Sequence, residues 1–215
     1  MNSRFAILGA VALFAATPAF ADAFGDGLTG IQNEWAVAKY QTMDKAARGT
    51  AFSALLKHAS EFSAQYPGRA EAHAWEGIVL STYAGEVSAM SAMKYAKAAR
   101  AALERAESLD ATALAGGVYA SLGALYSKVP GGLIGFGDDK RAADYFHKAL
   151  AVDGDNIDNN FFCGEFLLDQ GDYAGARTVL ERALAAPPVA ERPVFDAGRR
   201  AEIRNLLTVA RSRTS

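Results

Sequence analysis

The sequence is poor in the residue types that form disulfides, metal centres and catalytic sites. Its single cysteine, Cys163, cannot form a disulfide within the chain, and only three histidines occur in 215 residues. No Gly-x-Ser-x-Gly or His-Glu-x-x-His motif is present. These absences argue against an enzyme, and we expect no cofactor and no bound metal.

Neither sign of charge is in large excess. The chain has 22 Lys and Arg against 24 Asp and Glu, a net charge of −2. A protein that binds nucleic acid or anionic lipid headgroups usually carries a basic surface, so we expect no nucleic-acid partner. No hydrophobic run approaches the roughly 20 residues of a membrane-spanning helix, so we also expect no membrane span.

The N-terminus has the features of a secretory signal peptide. Arg4 precedes an apolar run at residues 5–15, and Ala19 and Ala21 occupy the small-residue positions of a cleavage site. We predict that residues 1–21 are removed and that residues 22–215 form one periplasmic domain.

Residues 159–188 carry a helical-repeat pattern. In this segment, as in the rest of the chain, large apolar residues recur at helical spacing within alanine-rich stretches, and strand signals are almost absent. Small and large residues alternate at fixed spacing, at Gly164, Gly171, Tyr173, Ala176, Leu180, Ala183 and Pro188. The pattern resembles the tetratricopeptide repeat, in which two antiparallel helices approach closely through a small residue on each.

Two further units lie upstream. Gly123 with Ala142, and Gly77 with Ala99, occupy the same small positions, with extra residues between the two helices of each unit. A degenerate helix pair precedes them, and a capping helix with Asp196 as its N-cap follows Pro188. The resemblance therefore implies an all-α, right-handed stack of antiparallel helix pairs with about nine helices.

The resemblance also implies a concave groove lined by the first helix of each pair. The corresponding positions are Ala74, Ile78, Ser81, Ala120, Ala124, Ser127, Lys128, Phe161, Glu165 and Leu168. This lining is mainly small and apolar, which favours an apolar ligand or an amphipathic helix over acidic peptide tails. The alternative is that the protein's own terminal helix fills the groove.

The segment KVPGGLIGFGDDKRA, residues 128–142, interrupts the second repeat. It lacks the Lys-Ser/Thr of a phosphate loop, and Asp138 and Asp139 would repel phosphate. We expect Asp138 to cap the next helix and the loop residues Leu133, Ile134 and Phe136 to cover the end of the stack or to contact a ligand. We favour the first role.

A tetratricopeptide-like protein with a secretion signal and this kind of inserted loop is also similar to the periplasmic T component (TatT family) of TRAP-type transporters. That resemblance implies a pore or cleft for hydrophobic ligands and association with a substrate-binding protein. The sequence thus gives two hypotheses: an adaptor that binds a partner protein through its groove, or a carrier of a small hydrophobic ligand.

Four smaller features each have a structural interpretation that we favour over a chemical one. Two His-x-x-Glu pairs suggest a metal site, two methionines suggest copper, residues 153–160 resemble a calcium loop, and the cysteine suggests a nucleophile. We expect surface pairs, core methionines, an inter-repeat turn and a buried thiol, respectively. The side chains concerned are His58, Glu61, His73, Glu76, Met90, Met93 and Cys163.

Overall fold

The protein folds into nine α-helices without strands over residues 18–133 and 135–213, the parts of the chain that the computed structural model describes. Most of the predicted signal peptide and Ile134 lie outside these ranges. The helices are α1 Pro18–Tyr40, α2 Lys45–Gln65, α3 Ala70–Glu86, α4 Ala89–Leu109, α5 Gly117–Lys128, α6 Asp139–Val152, α7 Ile157–Asp169, α8 Tyr173–Ala185 and α9 Pro193–Arg213. The prediction of an all-α stack of helix pairs is confirmed.

Each of the three predicted repeats has a glycine where its two helices meet. A Cβ atom added to Gly164 on α7 would lie 2.5 Å from Cγ of Leu180 on α8, closer than two carbon atoms can approach. Gly77 on α3 faces Leu103, and Gly123 on α5 faces Phe146, in the same way. The predicted close-approach positions are therefore confirmed, because any side chain there would separate the helices.

Of the two predicted N-caps, one is confirmed and the other is wrong. Asp138 Oδ1 accepts a hydrogen bond of 3.0 Å from the backbone N–H of Arg141, which confirms the predicted cap of α6. The predicted N-cap at Asp196 is wrong, since α9 begins at Pro193, a residue favoured at the first position of a helix. Asp196 lies in the first turn and accepts a hydrogen bond from the backbone N–H of Val189.

The extra residues of the two upstream repeats have different outcomes. In the second repeat they form the loop between α5 and α6, as predicted. In the first repeat only Val87 and Ser88 separate α3 from α4, and the extra residues lengthen the helices instead. Helix α4 has 21 residues, against 13 in α8.

The odd-numbered helices form a closed inner ring. Helices α1, α3, α5, α7 and α9 contact one another in that order, and α9 also packs against α1. Each even-numbered helix packs against the odd-numbered helices before and after it. At the junction, Gly198 of α9 lies directly against the ring of Tyr40 of α1. The last helix therefore lies beside the first and does not fill the groove.

The apolar core reflects this closure. One cluster of buried side chains includes both α1 and α9, with Phe24 and Ile31 from the first and Phe195 and Ile203 from the second. A second cluster lies in the middle of the chain, around Leu122 and Phe146. Within the described ranges, none of the helices combines the length and the hydropathy that a membrane span requires.

Candidate functional site

A pocket of about 640 Å³ lies within the ring of odd-numbered helices. We call it the central pocket. Its walls come from α1, α3, α5, α7, α9 and the segments just before α5, α7 and α9, and none of its lining residues belongs to an even-numbered helix. Exposed lining residues such as Lys128 and Ala115 connect it to solvent. Its volume lies within the usual range for binding pockets, roughly 300–1,000 Å³.

Aromatic side chains form the apolar part of the central pocket. Trp35 and Trp75 meet edge to face, with ring centroids 6.2 Å apart, and Phe162 and Phe195 lie on α7 and α9. Trp35 Nε1 donates a hydrogen bond of 3.0 Å to Thr82 Oγ1, which fixes the orientation of its ring. Trp35 and Trp75 are the only tryptophans in the sequence, and both line this pocket.

A buried arginine connects α9 with α7 at one side of the pocket. Arg199 is 2 % exposed, and its Nε lies 2.8 Å from Asp158 Oδ1. Its guanidinium lies over the ring of Phe161, with Cζ 3.9 Å from the ring centroid. Burial opposes the charge of Arg199, but Asp158, Tyr40 and Glu202 outweigh this effect and raise its pKa. Arg199 therefore remains a cation within the protein.

Glu202 extends this connection to α1. Its Oε2 accepts hydrogen bonds of 2.8 Å from Arg199 Nη1 and from the hydroxyl of Tyr40, and its Oε1 lies 3.1 Å from Lys39 Nζ. Burial is the main cause that raises the pKa of Tyr40, and Glu202 adds to it, so the hydroxyl stays a donor. We call the side chains of Lys39, Tyr40, Asp158, Arg199 and Glu202 the closure cluster.

Other parts of the pocket wall also carry paired charges. Lys128 Nζ at the end of α5 lies 2.6 Å from Asp169 Oδ2 and 3.4 Å from Glu165 Oε1 on α7. Burial alone would lower the pKa of Lys128, but the two carboxylates raise it. On α3, Glu86 Oε1 pairs with Arg48 Nε at 2.7 Å. Most charges around the pocket are therefore neutralised by neighbours.

A left-handed turn between α4 and α5 forms part of the rim. Leu114 and Ala115 have φ values of 57° and 53°, and Gly116 follows at 87°. The fully buried Asn159 of α7 holds this turn, because its Nδ2 donates to the carbonyl oxygens of Ala115, Ala149 and Asp153. Left-handed backbone costs about 1 kcal/mol or more for a residue with a Cβ atom, so Asn159 helps to offset the strain.

Comparison with known proteins agrees with this architecture. A tetratricopeptide repeat family model matches residues 133–192. The structure is similar to that of a thermophilic tetratricopeptide repeat protein from Thermus thermophilus, with a TM-score of 0.56 at 15 % identity over 86 % of this chain and 99 % of that one. Residues 133–192 therefore match the tetratricopeptide repeat, and the chain shares the fold of a tetratricopeptide repeat protein. No curated protein matches it in sequence.

Several of the predicted groove residues line the central pocket. Ile78, Ser81, Ala120, Ala124, Lys128 and Glu165 are all part of its wall. They belong to the first helices of the three predicted repeats, as the resemblance implied. Their role in binding stays a prediction.

Four of the predicted groove positions lie outside the pocket wall: Ala74, Ser127, Phe161 and Leu168. On α7 the wall residues are Asp158, Phe162 and Glu165, so Glu165 faces the pocket as predicted, whereas Phe162 and Asp158 line it in place of Phe161 and Leu168. Phe161 instead lies behind Arg199, and Leu168 packs against the first core cluster. Ala74 is fully buried in the second cluster, because Trp75 and Ile78 occupy the inner face of α3.

The inserted loop lies away from the central pocket. Phe136 packs edge-on against Tyr126, with ring centroids 5.6 Å apart, and the Arg100 guanidinium covers its other side. Leu133 is fully exposed. Gly137 cannot carry a side chain, because the loop folds back there onto the backbone of Val129. Neither Leu133 nor Phe136 lines the pocket, and Ile134 lies outside the described residues.

Sequence reasoning missed the pocket residues that come from the two ends of the chain. Trp35 and Lys39 on α1, and Arg192, Phe195 and Arg199 at the start of α9, all line the central pocket. The predicted groove positions come from the three predicted repeats alone, and no signal in those repeats indicates that α9 returns to α1. The two tryptophans were the available signal for these pocket residues, because Trp35 lies in the degenerate helix pair that precedes the three predicted repeats.

The side chains of the smaller features differ in their surroundings. His58 faces Glu34 and His73 contacts the carbonyl oxygen of Pro67, and no three potential metal-binding side chains come together within residues 18–133 and 135–213. Cys163 is buried, and burial raises the pKa of its thiol to about 11. Met90 is 94 % exposed, so its prediction as a core residue is wrong.

Proposed function

We propose that the protein is a non-enzymatic periplasmic adaptor that binds a segment of a partner protein in its central pocket. The observation that carries this proposal is the closed ring of five inner helices, which surrounds an aromatic-lined pocket of about 640 Å³. Tetratricopeptide repeats commonly bind proteins through the inner faces of their first helices, and the pocket is built from those faces.

A bulky substitution inside the pocket tests the proposal. Ser121 lines the pocket on α5, whereas Ser60 is exposed on the outer helix α2. Ser121→Phe should abolish cross-linking of the protein to its partner in intact cells, and Ser60→Phe should leave cross-linking unchanged. Equal cross-linking by both variants would place the binding surface outside the pocket and overturn the proposal.

The periplasmic location rests on the N-terminal sequence. Phe24, which packs in the core against Phe62, follows the predicted cleavage site, so cleavage after Ala21 would retain this contact. We expect mass spectrometry of the protein from the periplasmic fraction to give an N-terminus at Asp22. A full-length protein recovered from the cytoplasm would contradict the location without affecting the pocket.

A second candidate function is the transport of a small hydrophobic ligand, as in the TatT-like hypothesis. The pocket volume and the aromatic side chains favour it specifically, because drug-sized apolar molecules fill pockets of this kind. Native mass spectrometry of protein purified from its own periplasm separates the two. A bound small molecule lost in Ser121→Phe would support the carrier, and an unliganded protein that cross-links to a partner would support the adaptor.

A further inference from the structure

One cation of the central pocket lacks the carboxylate partner that the others have. Among the lining residues, Lys39 pairs with Glu202, Lys128 with Asp169 and Glu165, and Arg199 with Asp158 and Glu202. The guanidinium of Arg192 makes no hydrogen bond or ion pair with any residue in the described ranges. Its donors are therefore available to a ligand.

The position of Arg192 is fixed by its surroundings. Its backbone N–H donates a 3.0 Å hydrogen bond to the carbonyl oxygen of Val189, and its guanidinium lies over the ring of Phe195, with Cζ 4.3 Å from the centroid. Stacking of this kind orients the planar group and leaves its edge free for a carboxylate. Burial lowers the pKa of Arg192, and Asp158 only partly opposes this. An anion bound there would compensate the buried charge.

A second polar group of the pocket wall is also unpaired. Trp75 is 6 % exposed, and its indole Nε1 has no hydrogen-bond acceptor within the described ranges, in contrast to that of Trp35. That Nε1 is itself buried, so Arg192 supplies the donors that a ligand can reach, and the tryptophan rings supply apolar surface. Together they indicate a ligand that combines acceptor atoms with apolar surface.

The size of the pocket limits how much of a partner it can hold. One turn of an α-helix, 5.4 Å long and 10–12 Å wide, occupies about 420–610 Å³. The pocket of about 640 Å³ therefore accommodates about one turn of a helix with its side chains. A short segment fits better than the long apolar face of a helix.

We propose that the pocket binds a partner segment in which an acidic side chain lies next to a large apolar one. The carboxylate binds Arg192, and the apolar side chain packs against the tryptophans. This inference rests on the proposed adaptor function and adds the chemistry of the segment that the partner presents.

Selection from a peptide library tests the inference. The probe is a display library of random five-residue segments flanked on both sides by fixed sequence, so that no free chain end is presented. The wild-type protein should enrich Asp or Glu beside Leu, Ile, Phe or Trp. Arg192→Gln should lose the acidic enrichment, and Arg105→Gln, the same change on the exposed face of α4, should behave as wild type.

The outcomes separate the two proposals. Enrichment of apolar segments without acidic residues, or acidic enrichment that persists in Arg192→Gln, overturns the role of Arg192 and leaves the adaptor function standing. Binding only to peptides with a free C-terminal carboxylate, tested in parallel, also overturns it. If the wild-type protein enriches no segment, the adaptor function fails as well.

Tryptophan fluorescence supplies the quantitative test, because both tryptophans of the chain line the pocket. A selected peptide should bind the wild-type protein at least about tenfold more tightly than its Glu→Gln counterpart, as expected for a charge-assisted hydrogen bond. Arg192→Gln should bind both peptides equally, and Arg192→Lys should retain part of the preference. An unchanged melting temperature in Arg192→Lys shows that the fold is intact, and a preference retained in Arg192→Gln contradicts the inference.

Discussion

The interior of a repeat and the closure cluster hold helices together by different means. Between α7 and α8, Gly164 lies against Leu180 and the contact is wholly apolar. Between α1 and α9, Tyr40 donates to Glu202, and Glu202 accepts from Arg199 as well. The first contact joins residues 16 positions apart (180 − 164), and the second joins residues 162 positions apart.

This difference shows how local and long-range contacts are specified. An apolar contact within a repeat needs only one small and one large side chain at the right spacing, and tolerates many neighbours. A closure through buried charge needs defined partners, because an unpaired arginine at that position would be costly. The closure cluster therefore favours one alignment of the two chain ends, whereas the repeats set the local packing.

The largest effect is expected inside a repeat. Leu180→Ala should lower the free energy of unfolding by about 2–5 kcal/mol, because Leu180 is fully buried and the substitution leaves a cavity. Denaturant unfolding measures it, with Leu133→Ala as the control at a fully exposed position, expected to change stability by less than about 0.5 kcal/mol.

The glycine of the same contact should show a reversal of sign. Gly164→Ala should destabilise the wild-type protein by about 1–3 kcal/mol through overpacking. In the Leu180→Ala background it should stabilise by about 1 kcal/mol, because the methyl group enters the vacated space and alanine favours the helix. Additive effects of the two substitutions would show that these residues do not share one contact.

Substitution of Arg199 tests the closure. Arg199→Ala should lower the free energy of unfolding by about 2–3 kcal/mol. This is less than the loss expected when one partner of a fully buried ion pair is removed, because Asp158 and Glu202 are about 30 % exposed and regain hydration. Hydrogen exchange should rise in α1 and α9 while α3 to α6 stay protected. Arg204→Ala, an exposed arginine on the same helix, is the control. Uniformly faster exchange would show that closure and repeats unfold as one unit.

The contrast between local contacts within a repeat and the long-range closure explains which features of the structure the sequence predicts. Gly77, Gly123 and Gly164 identify the repeats, because the close approach of two helices leaves no alternative to glycine. The sequence does not show which face of α7 points inward, because Phe161 and Phe162 are both large and apolar. In the structure Phe162 lines the pocket, and Phe161 lies against the guanidinium of Arg199, which comes from the distant helix α9. No short-range pattern records that contact.

Asn159 illustrates a second limit. In sequence it belongs to a polar turn between repeats, and nothing indicates that its amide reaches the carbonyl oxygen of Ala115, 44 residues earlier. Likewise Leu114 and Ala115 have no sequence mark of a left-handed conformation, which glycine usually adopts. The rim of the pocket is therefore a product of tertiary contacts that overrule local preference.

The smallest effect is expected at this rim. Ala115→Gly should raise the free energy of unfolding by up to about 1 kcal/mol, because glycine adopts the positive φ of 53° without the Cβ penalty, while its greater freedom in the unfolded chain offsets part of the gain. Ala101→Gly, on the exposed face of α4, should lower it by about 0.5–1 kcal/mol. Thermal unfolding of the two variants gives the comparison. Equal losses of stability in both variants would mean that the turn before α5 is not strained. The turn would then resemble the apolar interior of a repeat, and not the closure cluster, in which polar partners hold a conformation that the sequence alone does not favour.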